Sequence, residues 1–224
     1  MTAKPMQNWA AIFDWDGVII DSSRQHEQSW EQLAREEKRA LPPNFFKRSF
    51  GMKNERIIPE LLAWTNDAAH VRQLSDRKEE IYRELILHDR IVPLPGVVEW
   101  LDTLRAATIP CAIGSSTPHE NIRCVIDRLA LRDYFRATVA GQDVTHGKPN
   151  PEVFRLAARK LGVPPARCVV FEDAHVGLEA ARAGGMKVVG VATTHPAESL
   201  RDADRVVRRM DELTVAEISA WFPG

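Results

Sequence analysis

Short apolar runs alternate with longer helical patterns along most of the chain. The runs are Trp9–Phe13, Cys111–Ile113, Ala137–Ala140, Cys168–Phe171 and Lys187–Val191. Runs this short and this apolar predict strands covered on both faces, as in a parallel sheet. Between them, Val97–Ala107 places Val97, Val98, Trp100, Leu101 and Leu104 on one side of a helix. Pro151–Leu161 repeats the pattern, with proline in the first turn and Gly162 as the stop. Val176–Ala183 ends in Gly184-Gly185, a left-handed cap. The alternation predicts an α/β fold with a doubly wound parallel sheet.

The alternation stops after the first strand. From about Ser22 to Leu87 only helical patterns occur: Ser23–Arg39, Asn54–Trp64 and Ala69–Leu87. Pro93-Leu-Pro-Gly96 then marks the return to strand and helix. The expected organisation is a core domain of residues 1–21 and 95–224, with a helical domain of residues 22–94 inserted into it.

Composition narrows the function classes. The chain has 224 residues, 44 % of them apolar and 27 % charged, enough for a core and a smaller insert. A net charge of −1 argues against a nucleic-acid partner. No apolar run approaches the roughly 18 residues of a membrane span. Met1 to Asn8 is polar and lacks the apolar stretch of a signal peptide. Cys111, Cys124 and Cys168 are three, widely spaced, which fits neither a disulfide framework nor a thiolate metal site. Cys111 and Cys168 read as buried thiols in strands, and a reducing cytoplasm is the expected compartment. No exposed apolar stripe stands out, so a monomer or weak homodimer is expected.

Ligands of open α/β sheets bind beyond the carboxyl ends of the strands. Asp14-Trp-Asp16-Gly17 follows the first run, and Gly114-Ser115-Ser116-Thr117 the second. Gly147-Lys148-Pro149 lies a little beyond the third, and Glu172-Asp173 ends the fourth. Each alone is an ordinary capping or turn residue. Together they bring carboxylates, hydroxyls and one lysine to a single edge. Clustered carboxylates repel unless a cation sits among them. With no His or Cys set beside them, the ion expected is Mg²⁺. A carboxylate, Mg²⁺, a lysine and a hydroxyl are what phosphoryl transfer needs. A carboxylate also serves as a covalent nucleophile.

Phe13-Asp-Trp-Asp-Gly-Val18 resembles the first signature of the haloacid dehalogenase superfamily of phosphohydrolases, and Ser115, Lys148 and Glu172-Asp173 match its other three motifs in order. The insert after the first strand resembles the helical-cap subfamily that includes β-phosphoglucomutase-like enzymes and phosphoglycolate phosphatases. The resemblance implies that Asp14 is the nucleophile and an Mg²⁺ ligand. It implies that Asp16 is the general acid/base, with its backbone carbonyl facing the metal. Ser115 and the N–H of Ser116 hold phosphoryl oxygens, and Lys148 neutralises charge. Asp173 ligates the metal, and Glu172 either ligates it or orients its neighbours. Gly17 and Gly177 let backbone approach closely. Asp16 favours phosphoester chemistry over dehalogenation or phosphonate cleavage.

In the insert, His26 resembles a cap histidine near the acid/base, and Asp21 or Ser22 is a natural N-cap for its helix. The loop Phe50-Gly51-Met-Lys-Asn-Glu-Arg56 resembles the one that reads substrate, with Lys53 and Asn54 as candidates. Phe50 and Asn54 stand where β-phosphoglucomutase presents basic residues. The expected function is an Mg²⁺-dependent phosphatase of a small phosphorylated metabolite, with no nucleic-acid or membrane partner. The alternatives are a β-phosphoglucomutase-like isomerase and, from another class, a phosphoryl-accepting receiver domain. The long helical insert argues against the receiver.

Overall fold

A computed structural model describes residues 9–49 and 51–223. Six strands, β1 (Ala10–Phe13), β2 (Cys111–Gly114), β3 (Ala137–Val139), β4 (Cys168–Glu172), β5 (Lys187–Val191) and β6 (Arg205–Val207), form one parallel sheet in the order β3-β2-β1-β4-β5-β6. The first β-strand is central, with Phe13 beside Ile113 on one side and beside Phe171 on the other. Both of its faces are covered. Ala11 and Phe13 join Val169, Phe171 and Val189 in one cluster, while Ala10 and Ile12 join Val170 and Val188 in the other. This explains why β1 reads as a continuous apolar run rather than an alternating one.

Between β1 and β2 the chain forms α1 (Ser23–Glu36), α2 (Phe45–Ser49), α3 (Asn54–Arg56) and α4 (Ala68–His88). Helices α5 (Val97–Ala106), α6 (His119–Ile126), α7 (Glu152–Leu161), α8 (His175–Ala183) and α9 (Val215–Ser219) accompany the sheet. The doubly wound sheet and the all-helical insert match the sequence reading. The inserted helices bury their own cluster, which includes Trp30, Leu33, Ile58 and Leu74. Helix α4 also reaches the sheet layer, where Tyr82 and Ile86 pack with Trp15, Ile19 and Ile20. The two connections of the insert touch through a bridge between Ile20 and Pro93.

Differences from the expected elements have local causes. The helix expected over Asn54–Trp64 is regular only to Arg56, then widens over Ile57–Leu61. Pro59 lies inside that stretch and has no N–H to give, and the Leu62 N–H reaches back to the Ile57 carbonyl at 3.0 Å. Strand β6 is three residues long at the sheet edge with Arg205 exposed, so it has no apolar run to announce it. In the helix after β4, the left-handed residue is Gly185 rather than Gly184. Trp100, expected on an apolar helical stripe, is buried against Phe171 at 6.2 Å between ring centres. Truncating it with Trp100→Ala should cost about 3–5 kcal/mol in a urea titration. Leu87→Ala, at a side chain 60 % exposed, should change stability by less than about 0.5 kcal/mol.

Candidate active site

The strand order places the chemistry. Beyond β1 the chain goes to β2 on one side and, after two crossovers, to β4 on the other, which makes the β1–β4 junction the switch point where such sheets bind ligands. The Asp14 N–H donates to the Phe171 carbonyl at 3.0 Å, and the rings of Phe13 and Phe171 stack at 4.4 Å. This register sets Asp14 beside Glu172 and Asp173. One carboxylate oxygen from each of the three lies within 4.8 Å of the others, and all three residues are buried.

Lys148 enters the same group. Its Nζ lies 2.8 Å from Asp14 Oδ2 and 2.6 Å from Glu172 Oε1, with no part of its side chain exposed. Burial disfavours the ammonium, but the carboxylates of Asp14 and Glu172 overcome this and raise it above the usual lysine range. Glu172 also accepts from the Ala174 N–H at 2.7 Å, so both of its oxygens are engaged. Burial, with the Asp14 charge adding to it against Lys148, lifts the Glu172 carboxyl to about 7. Burial first, and then Glu172 and Asp14, push Asp173 well above the carboxylate range. Both oxygens of Asp173 are buried without a hydrogen-bond partner. Three acids, one ammonium and two unpartnered oxygens fit a site completed by a hard cation.

Asp16 sits two residues on, with its side chain turned away from that cluster. It accepts from Ser22 Oγ at 2.5 Å, from Thr117 Oγ1, and from Tyr82 at 3.5 Å, and His26 Nε2 lies 3.3 Å away. Burial works against its ionisation, and His26, Ser22 and Thr117 more than cancel that, holding the carboxyl at about 2. His26 stacks on Tyr82 at 4.2 Å, and its Nδ1 faces Lys78 Nζ at 2.8 Å. Asp14, Asp16 and Ser115 line a cavity of about 280 Å³ that His26, Lys53 and Asn54 line from the insert.

The loop of the insert is pinned down on the sheet layer. Ser116 Oγ donates to the Gly51 carbonyl at 3.0 Å, and Lys53 Nζ to the Val144 carbonyl at 2.8 Å. Lys53 also lies along Gly147, where a Cβ would come within 2.9 Å of its stem. Asn54 turns to Glu79 Oε1 at 2.7 Å and Ser75 Oγ at 3.1 Å. Phe50 lies outside the described residues. Gly17 has φ +77°, and a Cβ there would fall 2.0 Å from Asp173 Oδ2, so only glycine lets this turn pass.

A model of the haloacid dehalogenase-like hydrolases matches residues 10–185. The chain belongs to this family. A chloroplastic 5-amino-6-(5-phospho-D-ribitylamino)uracil phosphatase of Arabidopsis thaliana is 42 % identical over 93 % of the chain, which spans 56 % of that protein's length. A fructose-1-phosphate phosphatase of Escherichia coli is 34 % identical, covering 80 % of the chain and 94 % of the relative. A solved β-phosphoglucomutase of Clostridium difficile superposes with a TM-score of 0.83 at 26 % identity, over 95 % of the chain and 96 % of its own. Similarity to these phosphatases supports a phosphoric monoester hydrolase, and the receiver reading is set aside.

In this hydrolase, several site residues carried no motif. Asp21 or Ser22 was expected as the N-cap of α1; Ser22 holds that position but its hydroxyl goes to Asp16, while Asp21 Oδ1 accepts from the Ser23 N–H at 3.2 Å. Thr117 had stood only as the last residue of the β2 turn. Lys78 and Glu79 lie in the middle of α4, where charge usually means solvent. Their signal was position, because they continue the buried stripe of Val71, Leu74, Ser75, Tyr82 and Ile86. His146 is exposed beside Glu152, and His175 packs on His195, so neither lines the cavity. Trp15 is fully buried within the first motif, and Cys111 and Cys168 are free buried thiols, as expected. At Gly177 a Cβ would sit 1.7 Å from Glu172 Oε1. Alanine normally stabilises a helix over glycine by about 0.5–1 kcal/mol. Here Gly177→Ala should instead lower stability by about 1–3 kcal/mol in thermal unfolding, because the methyl displaces Glu172.

Proposed function

We propose that this hydrolase removes the phosphoryl group of a small phosphorylated metabolite through two in-line displacements at Asp14. The observation that carries the reading is the buried group of Asp14, Lys148, Glu172 and Asp173 at the switch point, with Asp16 two residues on. In the first displacement a carboxylate oxygen of Asp14 bonds to phosphorus as the bond to the leaving oxygen breaks, and Asp16 gives that oxygen a proton. In the second, Asp16 takes the proton from a water whose oxygen bonds to phosphorus, and the phosphorus–Asp14 bond breaks. The Asp16 carboxyl is held low and ionised, so the proton it gives in the first displacement is one it takes up as substrate binds. Lys148 balances the charge of Asp14 and of the phosphoryl oxygens, and Ser115 with the Ser116 N–H holds those oxygens.

Asp14 and Asp173, with the backbone carbonyl of Asp16, are the residues that would hold Mg²⁺. Glu172, with both oxygens engaged, acts by orienting Lys148. When bound, the ion supplies positive charge to phosphoryl oxygens whose charge grows in the transition state. Residues 22–94 serve as the cap that covers the site and excludes water, and residues 1–21 and 95–224 serve as the core. Every residue invoked comes from one chain, so a monomer suffices. Three free thiols suit a reducing compartment such as the cytoplasm. Among the described residues, no helix is long and apolar enough to cross a membrane.

The related enzymes named for ribityl and fructose phosphates favour a phosphate ester of a hydroxylated metabolite. A screen of sugar and polyol phosphates for phosphate release tests this, and glucose 6-phosphate formed from β-glucose 1-phosphate would signal a mutase instead. Asp14→Asn should abolish turnover while leaving the fold intact by circular dichroism, and retained activity would contradict the nucleophile. Asp16→Ala should lower kcat by about 10²–10⁴-fold. EDTA should silence the enzyme. Added Mg²⁺ should raise the melting temperature, by about 2.7 kcal/mol of stabilisation at a hundredfold excess over Kd. Asp173→Asn should remove that rise.

A further inference from the structure

The insert forms one wall of the cavity, and its charged side chains there are Lys53, Glu55, Lys78 and Glu79. Lys78 has little left to give an anion, while Lys53 keeps two of its three N–H groups. Lys78 is 2 % exposed, and its ammonium is spent on Glu79 Oε1 at 2.9 Å and His26 Nδ1 at 2.8 Å. The Lys53 ammonium rests on the Val144 carbonyl. Among the described residues no arginine lines the cavity.

Glu79 is the fixed point of this wall. Three helices hold it. Asn54 of α3 donates to Oε1 at 2.7 Å, Lys78 of α4 shares that oxygen, and Asn121 of α6 donates to Oε2 at 2.5 Å. Asn121 is itself held by Arg83 Nη1 at 3.0 Å. Burial opposes its charge, but Lys78 and the surrounding donors keep its carboxyl below the usual range, so Glu79 stands ionised. An anionic group arriving here meets the Glu79 carboxylate in a poorly solvated space and finds the Lys78 ammonium already paired with it. A neutral hydroxylated group meets no such penalty. It finds polar atoms at Ser49 and Gln142 and apolar surface at Trp30 and Ile57.

Building on the phosphatase reading, we propose that Glu79 determines specificity: it commits Lys78 and places negative charge on the wall, so the enzyme takes monophosphates with an uncharged, hydroxylated leaving group and rejects a second phosphate there. Steady-state kinetics with Mg²⁺ on matched pairs, fructose 1-phosphate against fructose 1,6-bisphosphate and ribulose 5-phosphate against ribulose 1,5-bisphosphate, test this. Wild-type kcat/KM should favour the monophosphates by about 100-fold or more, equivalent to about 2.8 kcal/mol. Glu79→Gln removes the negative charge that pairs with Lys78 and should cut that preference at least about tenfold, through the KM of the bisphosphates. A residue that merely supported the fold would lower both substrates in parallel and leave the ratio unmoved, which overturns the proposal. So does a wild type that treats bisphosphates and monophosphates alike, and this result needs no variant to fold. Failure to hydrolyse any ester of either kind overturns the phosphatase reading as well, and is distinct from hydrolysis without selectivity.

Discussion

Burying three carboxylates and one ammonium at the end of two adjacent strands is the constraint around which this molecule is built. Asp14, Glu172 and Asp173 meet because β1 and β4 pair in register, and Lys148 supplies the one positive charge among them. Such a group is unstable on its own terms. Desolvation opposes each charge, like charges add to it, and Asp173 keeps two buried oxygens without a donor. A folded chain that keeps this arrangement stores a preference for a cation and for an electrophile that draws charge out of Asp14. The proposed chemistry is the release of that preference.

The insert answers the same constraint from above. Asp16 leaves the acidic cluster and is surrounded by donors from the first β-strand's turn, from β2's turn and from helices α1 and α4. Asp16 and Asp14 are two residues apart, yet sit in opposite electrostatic settings. One is held low by His26 and hydroxyls, and the other shares its lysine with a second carboxylate. Because His26, Tyr82 and Lys78 come from the insert, the setting of Asp16 depends on the insert lying where it does. Ser116 with Gly51, and Lys53 with Val144, fasten it there.

Much of this was legible in the residue order. The parallel strands announced themselves because both faces of β1 and β4 are covered, and the motif residues stood at their carboxyl ends. The sheet order was not legible, since no local pattern says that β4 rather than β3 lies beside β1. Strand β6 was hidden by its length and its exposed edge. Ser22 holds the N-cap position of α1, yet its hydroxyl turns to Asp16 for an energetic reason. A helix N-terminus at the surface can be satisfied by water, whereas the buried Asp16 carboxylate cannot, so the hydroxyl goes to the group that has more to lose. Lys78 and Glu79 escaped notice because charge inside a helix is usually solvated, and here a buried stripe runs through them.

The account rests on Asp14 becoming the carrier of the phosphoryl group. Rapid quenching of the enzyme during turnover, followed by peptide mass spectrometry, measures this directly. The prediction is an added phosphoryl mass on the peptide containing Asp14, lost in Asp14→Asn. A phosphoryl group on another residue, or steady turnover with none trapped while Asp14→Asn stays active, would contradict it.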